Sequence, residues 1–256
     1  MTTSTFLASF SLEGRQALVT GGSRGLGAAM ALALAHAGAD VALHAYEPPD
    51  ETADCIRAIG RTAHVFTGDL SEVDAPARLV HQAAALMGRI DILVNNAGII
   101  RRAPAAEHSD EDWDAVVGMN LSSVFRMCRA AGRFMLVQGR GKIINIASLL
   151  SFQGGITVPG YAAAKGGVAQ LTKALANEWA SRGINVNAIA PGYMATENTR
   201  PLRQDPARMQ QITDRIPAGR WGEPEDLAGA VVFLAAPASD YVNGHVLVVD
   251  GGWLAR

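Results

Sequence analysis

Ser148, Tyr161 and Lys165 are the residues of this chain whose types and spacing could do chemistry. Tyr161 and Lys165 stand four positions apart, so on a helix their side chains share one face. A free tyrosine titrates near pH ~10, and bringing its pKa to ~7 takes about 4 kcal/mol. One positive charge at ~4 Å supplies about that much at an effective dielectric of ~20. The pattern predicts a proton-transfer tyrosine, with Ser148 as a neutral hydrogen-bonding partner.

Such a Tyr–Lys pair also occurs in helices without a catalytic role, so its meaning depends on the elements around it. Short apolar runs alternate with longer helix-like stretches, which indicates a parallel sheet covered by helices on both faces. The sequence predicts a single doubly wound, Rossmann-type α/β domain over residues 1–256, with a mostly parallel seven-stranded sheet. The predicted strands are 17–20, 41–44, 63–66, 90–94, 143–147, 184–189 and 246–249. The predicted helices are 25–37, 50–59, 74–87, 110–137, 161–181 and 225–235.

The predicted strand ends bring the polar candidates to one edge of the sheet. Ligands of doubly wound sheets bind beyond the carboxyl ends of the strands. Thr20, Asn95, Ser148 and Pro191 all fall at or just past such ends. Residues 192–223 form the longest stretch without clear periodicity, and we expect them to be a substrate lid.

Composition narrows the classes of partner. The chain has 256 residues, 22 basic and 24 acidic, and its net charge of -2 argues against nucleic acid or an anionic membrane surface. No apolar run reaches the ~18 residues of a membrane span, and the first residues do not resemble a signal peptide. We expect a cytoplasmic protein that acts on a small molecule. The cysteines and histidines show no metal or disulfide spacing: Cys55, Cys128, His44, His64, His81 and His108.

The first predicted strand runs into the glycine-rich segment TGGSRGLG at 20–27. Glycines let the chain turn tightly and let its backbone approach a pyrophosphate, while the next helix offers its N-terminal N–H groups. A tight turn without a ligand is the alternative. The strand before it and the helix after it favour a dinucleotide. The candidate residues are Gly21, Ser23, Arg24, Gly25, Leu26 and Gly27.

Three later strand ends could complete a dinucleotide site. A carboxylate after the third strand could accept a hydrogen bond from an adenine amino group. Small residues after the fourth strand would let a flat cofactor lie against the backbone, and the loop after the sixth could hold a nicotinamide carboxamide. Each could also be an ordinary polar loop. The candidates are Asp69, Leu70, Asn95, Ala97, Gly98, Pro191, Gly192, Met194 and Thr196.

These motifs together resemble the short-chain dehydrogenase/reductase family over nearly the whole chain. The matching elements are TGGSRGLG at 20–27, GDL at 68–70, NNAG at 95–98, Asn120, Ser148, Tyr161 with Lys165, and PGYMAT at 191–196. Their order and spacing make the resemblance specific. It implies an NAD(P)-dependent oxidoreductase that acts on CH–OH groups.

The resemblance also implies a role for each matching residue. Tyr161 would be the acid/base for the substrate oxygen, and Lys165 would lower its pKa and hold the nicotinamide ribose. Ser148 would orient the substrate and stabilise the developing oxyanion. Asn120 would hold a water in a proton relay behind Lys165, and Thr196 would contact the carboxamide. Hydride transfer to a nicotinamide requires such a proton acceptor of matched pKa.

Longer segments are similar to a narrower group, the bacterial 2-deoxy-D-gluconate 3-dehydrogenases and 2-dehydro-3-deoxy-D-gluconate 5-dehydrogenases. They are NNAGIIRR at 95–102, KIINIASLLSFQGG at 142–155, INVNAIAPGYMAT at 184–196 and SDYVNGHVLVVDGGWLAR at 239–256. This similarity implies that a secondary alcohol and a ketone of a six-carbon deoxy sugar acid are interconverted.

The candidate substrate residues are Arg101, Arg102, Gln153 and Tyr193. A guanidinium fork matches a carboxylate, and both arginines follow the fourth strand's loop. We expect at most one of them to point inward. The alternative is a solvated surface pair. Gln153 is a candidate for sugar hydroxyls.

The sequence does not decide between NAD and NADP. An acidic residue at the end of the second strand selects NAD, because it binds the ribose 2′-hydroxyl. Here that position is Ala45, with Glu47 two residues later, while Arg24 in the glycine loop could favour a 2′-phosphate. The narrower group suggests NAD, and the local residues leave NADP open.

The resemblance implies a homotetramer, and Arg256 could reach a neighbouring subunit's active site. One alternative function is an NADP-dependent ketoreductase such as a 3-oxoacyl carrier-protein reductase, which would favour a basic docking surface. Another is a dinucleotide-sensing protein without catalysis. The presence of Asn120, Ser148, Tyr161 and Lys165 argues against the second.

Overall fold

A seven-stranded sheet in the order β3-β2-β1-β4-β5-β6-β7 forms the centre of the molecule. The computed structural model describes residues 3–256, so the first two residues of the predicted 1–256 domain lie outside the described part. All strand pairs are parallel, which confirms and sharpens the prediction of a mostly parallel sheet. The strands are β1 Gln16–Thr20, β2 Asp40–Ala45, β3 Ala63–Thr67, β4 Ile92–Asn95, β5 Gly141–Ile146, β6 Ile184–Pro191 and β7 Val246–Val249.

Ten α-helices are present among the described residues. They are α1 Thr3–Ala8, α2 Gly25–His36, α3 Asp50–Ala58, α4 Ala75–Met87, α5 Asp110–Val117, α6 Ser123–Gln138, α7 Pro159–Trp179, α8 Arg200–Gln204, α9 Pro206–Arg215 and α10 Ala228–Ala235. The predicted helix 110–137 is divided by a π-helical turn, Gly118–Ser122, that separates α5 from α6.

Two apolar layers hold the helices to the sheet, because successive strand residues point to opposite faces. Leu18 and Ile143 pack under one layer, with α4, α6 and α7. Val19 and Ile144 pack under the other layer, with α2, α3 and α10. Both faces of the sheet are thus covered, which explains why its strands read as continuous apolar runs.

The strand order reverses between β1 and β4, so the loops after these two strands diverge at the carboxyl edge. A crevice at such a reversal is where doubly wound sheets bind ligands. Residues 192–223 cross this edge and contain α8 and α9. Within the described part of the chain, no helix is both long and apolar enough to cross a membrane.

Candidate active site

The glycine-rich loop after β1 is fixed to the loop after β4 by two side chains. The Thr20 hydroxyl accepts hydrogen bonds from the backbone N–H groups of Asn96 and Ala97, at 3.0 and 3.1 Å. The Asn96 amide in turn donates to the carbonyls of Thr20 and Gly21, at 3.0 and 3.1 Å. In the sequence, Asn96 stands out only as part of NNAG at 95–98. In the structure, its amide and the Thr20 hydroxyl together hold the two loops.

This loop has no room for side chains at two of its glycines. A Cβ on Gly27 would lie 2.0 Å from the Gly21 carbonyl oxygen and 2.5 Å from Asn96 Nδ2. A Cβ on Gly21 would lie 2.7 Å from the same Nδ2, and its φ of +67° is one that side chains disfavour. Glycine is therefore required at both positions where the loop after β1 leads into α2. This arrangement fits the pyrophosphate of a dinucleotide.

A cavity of about 570 Å³ opens above this loop and extends to α7. It brings together most of the residues that the sequence predicts for the cofactor. These are Gly21, Ser23, Arg24, Gly25, Leu26, Gly27, Ala97, Gly98, Tyr161, Lys165 and Thr196. Other lining residues were not predicted, among them Ile146, Asn198 and Arg203. Arg203 donates to the carbonyl of Thr196 at 3.1 Å and so braces that loop.

Six predicted cofactor residues lie outside this cavity wall; Pro191 and Gly192 line the second cavity described below, and the other four are Asn95, Leu70, Met194 and Asp69. Asn95 is buried and donates to Asn145 Oδ1 at 2.9 Å, so its side chain points between β4 and β5. Leu70 and Met194 are buried in the apolar layers. Asp69 lies at the correct edge of the sheet, where its carboxylate accepts from the Ser71 N–H at 2.8 Å. The side chains of Asn95, Leu70 and Met194 therefore pack within the scaffold, whereas the contact of Asp69 with an adenine stays a prediction.

The predicted catalytic side chains converge where β5 meets α7. Lys165 is buried, and its Nζ donates to the carbonyl of Ile146 at the end of β5, at 2.5 Å. The same ammonium lies 5.6 Å from the centre of the Tyr161 ring. Ser151 donates from its hydroxyl to the Lys165 carbonyl at 2.7 Å, which ties the Ser148 turn to α7. Ser148 itself begins that turn by accepting from the Leu150 N–H at 3.2 Å.

Burial dominates the electrostatics of the Tyr161–Lys165 pair. Burial raises the pKa of the Tyr161 phenol, and a hydrogen bond with Ser148 and the charge of Arg102 oppose that rise. Burial lowers the pKa of the Lys165 ammonium to about 8, because no carboxylate compensates its desolvation. Lys165 is not among the groups that oppose this rise, so its effect on the Tyr161 pKa stays a prediction. The ammonium is directed at the Ile146 carbonyl, and Arg102 supplies the positive charge that acts on the phenol.

Asn120 lies in the π-helical turn between α5 and α6 and is fully buried. Its Nδ2 donates to the Ile99 carbonyl at 2.7 Å, and its Oδ1 accepts from the Ile99 N–H at 2.8 Å. The wider turn of a π helix brings this side chain out of the regular helical register. Asn120 thereby fixes the loop after β4, directly beside Gly98, where a Cβ would lie 2.6 Å from its Oδ1.

A second cavity, of about 500 Å³, lies on the other side of Tyr161. Ser148, Gln153 and Tyr193 line it, as the sequence predicts for substrate residues. Pro191 and Gly192, predicted for the cofactor, also line this cavity. Tyr161 is part of both cavity walls, so a group bound in either cavity can approach its phenol.

The two predicted arginines separate, as expected. Arg102 lines the second cavity. Arg101 instead points to the surface, where its Nε lies 3.3 Å from the Asp112 carboxylate. It therefore corresponds to the solvated surface alternative.

Comparison with known proteins identifies the family. The family described as "Enoyl-(Acyl carrier protein) reductase" matches residues 21–254. The 2-dehydro-3-deoxy-D-gluconate 5-dehydrogenase of Escherichia coli (strain K12) is 57% identical over 251 residues, covering 98% of this chain and 99% of that protein. The chain belongs to the short-chain dehydrogenase/reductase family.

Solved structures of family members share the whole fold. A protein from Agrobacterium tumefaciens with bound NADP is 55% identical, with a TM-score of 0.91 over 97% of this chain and 99% of that chain. A gluconate 5-dehydrogenase from Burkholderia cenocepacia J2315, in complex with NADP and tartrate, is 43% identical, with a TM-score of 0.94. That alignment covers 98% of this chain and 99% of the other.

The second cavity also contains several residues that the sequence did not identify as site residues. Arg208, Gln211 and Arg215 reach it from α9, and Trp253 reaches it from the end of the chain. The arginine content of residues 192–223 is visible in the sequence. Which of these arginines reach the cavity is decided only by the packing of α9.

Proposed function

We propose that this protein transfers hydride between a nicotinamide dinucleotide and a secondary alcohol or ketone of a deoxy sugar acid. The best-supported substrate is 2-dehydro-3-deoxy-D-gluconate, which the Escherichia coli relative's name specifies. One observation carries the proposal. Tyr161 lines two cavities: one contains the glycine-rich loop, and the other contains three arginines.

The charge of the second cavity supports an acidic substrate. Arg102, Arg208 and Arg215 line it, and no aspartate or glutamate does so among the described residues. None of the three arginines lies within ion-pair distance of a carboxylate in the described part of the chain. An uncompensated positive cavity favours a carboxylate over a neutral ketone. The charge of the cavity therefore favours a small acidic substrate over an uncharged 3-oxoacyl group.

The protein's own groups would handle the proton. The Tyr161 phenol holds its proton at neutral pH, because burial raises its pKa, and can donate it to a carbonyl oxygen during reduction. In the direction of oxidation the phenol would first lose its proton to solvent, which the positive charge of Arg102 favours, and the phenolate would then take the proton from the hydroxyl. The Ser148 hydroxyl orients the substrate oxygen beside the phenol. The nicotinamide, when bound, supplies or accepts the hydride.

We further propose that the nucleotide is NADP in preference to NAD. Arg24 lines the nucleotide cavity, and β2 ends on Ala45 instead of an acidic residue. Glu47 is exposed and lies outside the cavity wall. An arginine beside the ribose accommodates a 2′-phosphate, which an acidic residue at the end of β2 would repel. The bound NADP of the two crystallised relatives supports this preference over the expectation of NAD.

The direct test is a substrate panel with each nucleotide. We expect turnover of deoxy sugar acids, and we expect Tyr161→Phe to lower kcat by about 100- to 10,000-fold while nucleotide binding persists. A fluorescence titration with NADPH measures that binding. Turnover of an acyl thioester ketone alone would contradict the substrate proposal. Tyr161→Phe activity near that of the wild type would contradict the catalytic assignment.

The remaining proposals concern assembly and residues 192–223. We propose that 192–223 act as a substrate lid, because α9 supplies part of the substrate cavity wall. We propose a homotetramer, supported by the exposed Trp113 on α5 and Phe125 on α6 and by the uncovered edge of β7. Light scattering should then give four times the chain mass of 26.9 kDa.

Cys55 and Cys128 are both free thiols, which is compatible with a cytoplasmic location.

A further inference from the structure

Arg215 lies at the last turn of α9, on the wall of the substrate cavity. The centre of its guanidinium is 4.0 Å from the centre of the Trp253 ring, a stacked cation–π contact. Trp253 comes from the short helical turn Trp253–Ala255 that ends the chain. The cavity wall is therefore built from two segments that are far apart in the sequence.

The indole that supports Arg215 is held from several sides. Trp253 is buried, its Nε1 donates to Gln153 Oε1 at 3.3 Å, and its ring centre is 4.7 Å from that of Tyr193. Asp250 fixes the preceding turn by accepting from the N–H groups of Gly252 and Leu254, both at 2.8 Å. The support for the guanidinium is thus rigid before any ligand binds.

The end of the chain also anchors α9 itself. Arg256 donates to the Asp214 carbonyl of the same chain at 2.6 Å. A Cβ on Gly252 would lie 3.0 Å from Pro217 Cγ, so the turn packs closely against the residues after α9. Arg215 is held between these two contacts. Here the Arg256 side chain contacts its own subunit.

The stacked guanidinium keeps its hydrogen-bonding edge free. Stacking uses the face of the group, and its N–H donors lie in the plane, where a carboxylate can bind two of them. Arg215 donates no hydrogen bond to another described residue, whereas Arg208 Nη1 donates to Gln211 Oε1 at 3.3 Å. Arg102 is close enough to Tyr161 for its charge to act on the phenol.

The reacting carbon of the proposed substrate must lie beside Tyr161, and its carboxylate lies several bonds away. We propose that Arg215, stacked on Trp253, binds the substrate carboxylate and thereby selects sugar acids over neutral polyols. This inference rests on the proposed function. It assigns Arg102 to the reacting end of the cavity and Arg215 to the carboxylate end.

The test compares Arg215→Gln, Arg208→Gln and Arg200→Gln. Arg200 is a matched lid arginine outside the cavity, paired with Glu197 at 3.2 Å. We expect Arg215→Gln to raise KM for the sugar acid about 10- to 100-fold with little change in kcat, as for loss of a charge-assisted hydrogen bond. Turnover of the matching neutral polyol should change less than about 2-fold. Arg200→Gln should behave as the wild type for both substrates.

Trp253 provides a second set of variants. Trp253→Phe keeps an aromatic face and should change KM for the acid by less than about 5-fold, whereas Trp253→Leu should raise it by about 10-fold. A melting curve of each variant reports whether the fold persists. An unchanged KM in Arg215→Gln, an equal loss for the acid and the polyol, or a larger loss in Arg208→Gln would overturn the inference.

Tartrate binding distinguishes a failure of the carboxylate site from a failure of the proposed function. Quenching of tryptophan fluorescence by tartrate gives a Kd, which we expect to rise about 10- to 100-fold in Arg215→Gln. If the wild type oxidises no sugar acid but binds tartrate through Arg215, the proposed function fails and the carboxylate site stands. If the wild type turns over sugar acids and the tartrate Kd is unaffected by Arg215→Gln, the carboxylate site fails alone.

Discussion

Replacing Lys165 by methionine tests the electrostatics of the active site through the stability of the protein. Lys165 is 4% exposed, and burial lowers its pKa from 10.5 to about 8. Each pKa unit corresponds to 1.36 kcal/mol, so the shift is worth about 3 kcal/mol. Below pH 8 the lysine is charged in both the folded and the unfolded chain, and its burial destabilises the fold by that amount.

The sign of the pH dependence follows from proton binding. Between pH 8 and 10.5 the unfolded chain holds the lysine proton more tightly than the folded protein does. The contribution of Lys165 to the free energy of unfolding therefore increases as the pH rises through this window. The methionine variant also loses the hydrogen bond to the Ile146 carbonyl, whose donor is charged below pH 8 and neutral above it, so its loss belongs to the same titration.

The assay is urea denaturation of the wild type and Lys165→Met at several pH values from 7 to 10. We expect the difference in unfolding free energy, wild type minus variant, to rise by about 2–3 kcal/mol over this range. Cys128 acts in the opposite direction, because burial raises the pKa of its thiol to about 12, but both proteins contain it. A difference that stays constant with pH would refute the inference that Lys165 is charged and uncompensated.

Three further predictions concern the scaffold and the nucleotide. Gly27→Ala should destabilise the fold by about 1–3 kcal/mol and weaken NADPH binding, because the new Cβ would clash with the Gly21 carbonyl. Melting curves and NADPH titrations measure the two effects. Gly229→Ala is the control, because no atom lies within 4 Å of its Cβ position. Arg24→Ser should raise KM for NADP about 10-fold and leave KM for NAD within about 2-fold, and equal changes for both nucleotides would count against a 2′-phosphate contact. Asn120→Ala should destabilise by about 1–3 kcal/mol by leaving the Ile99 backbone groups unpaired, as measured by urea denaturation, and Asn120→Asp should retain only the contact to the Ile99 N–H.

Much of the site could be predicted, because parallel strands all end at the same edge of the sheet and the motifs follow those ends. The loops after β1, β4, β5 and β6 all reach the carboxyl edge, as their apolar runs indicated. The prediction was less successful for individual side chains within those motifs. Asn95 faces the core while its neighbour Asn96 holds the glycine loop. Successive residues of a strand point their side chains to opposite faces, which explains why Asn95 and Asn96 differ. The sequence does not show at which residue of the following loop this alternation ends.

The sequence by itself determined the parallel sheet, the bare glycine loop and the Tyr161–Lys165 face of α7. These depend on local periodicity, on the absence of Cβ atoms and on spacing within one helix. Only the tertiary structure decided what surrounds them. It buried Lys165 against the Ile146 carbonyl and placed Arg101 beside Asp112 but Arg102 on the wall of the second cavity. It also brought the Trp253 ring against the Arg215 guanidinium. Such contacts join residues distant in the chain, so the pKa of each group and the charge of the cavity depend on how the elements pack.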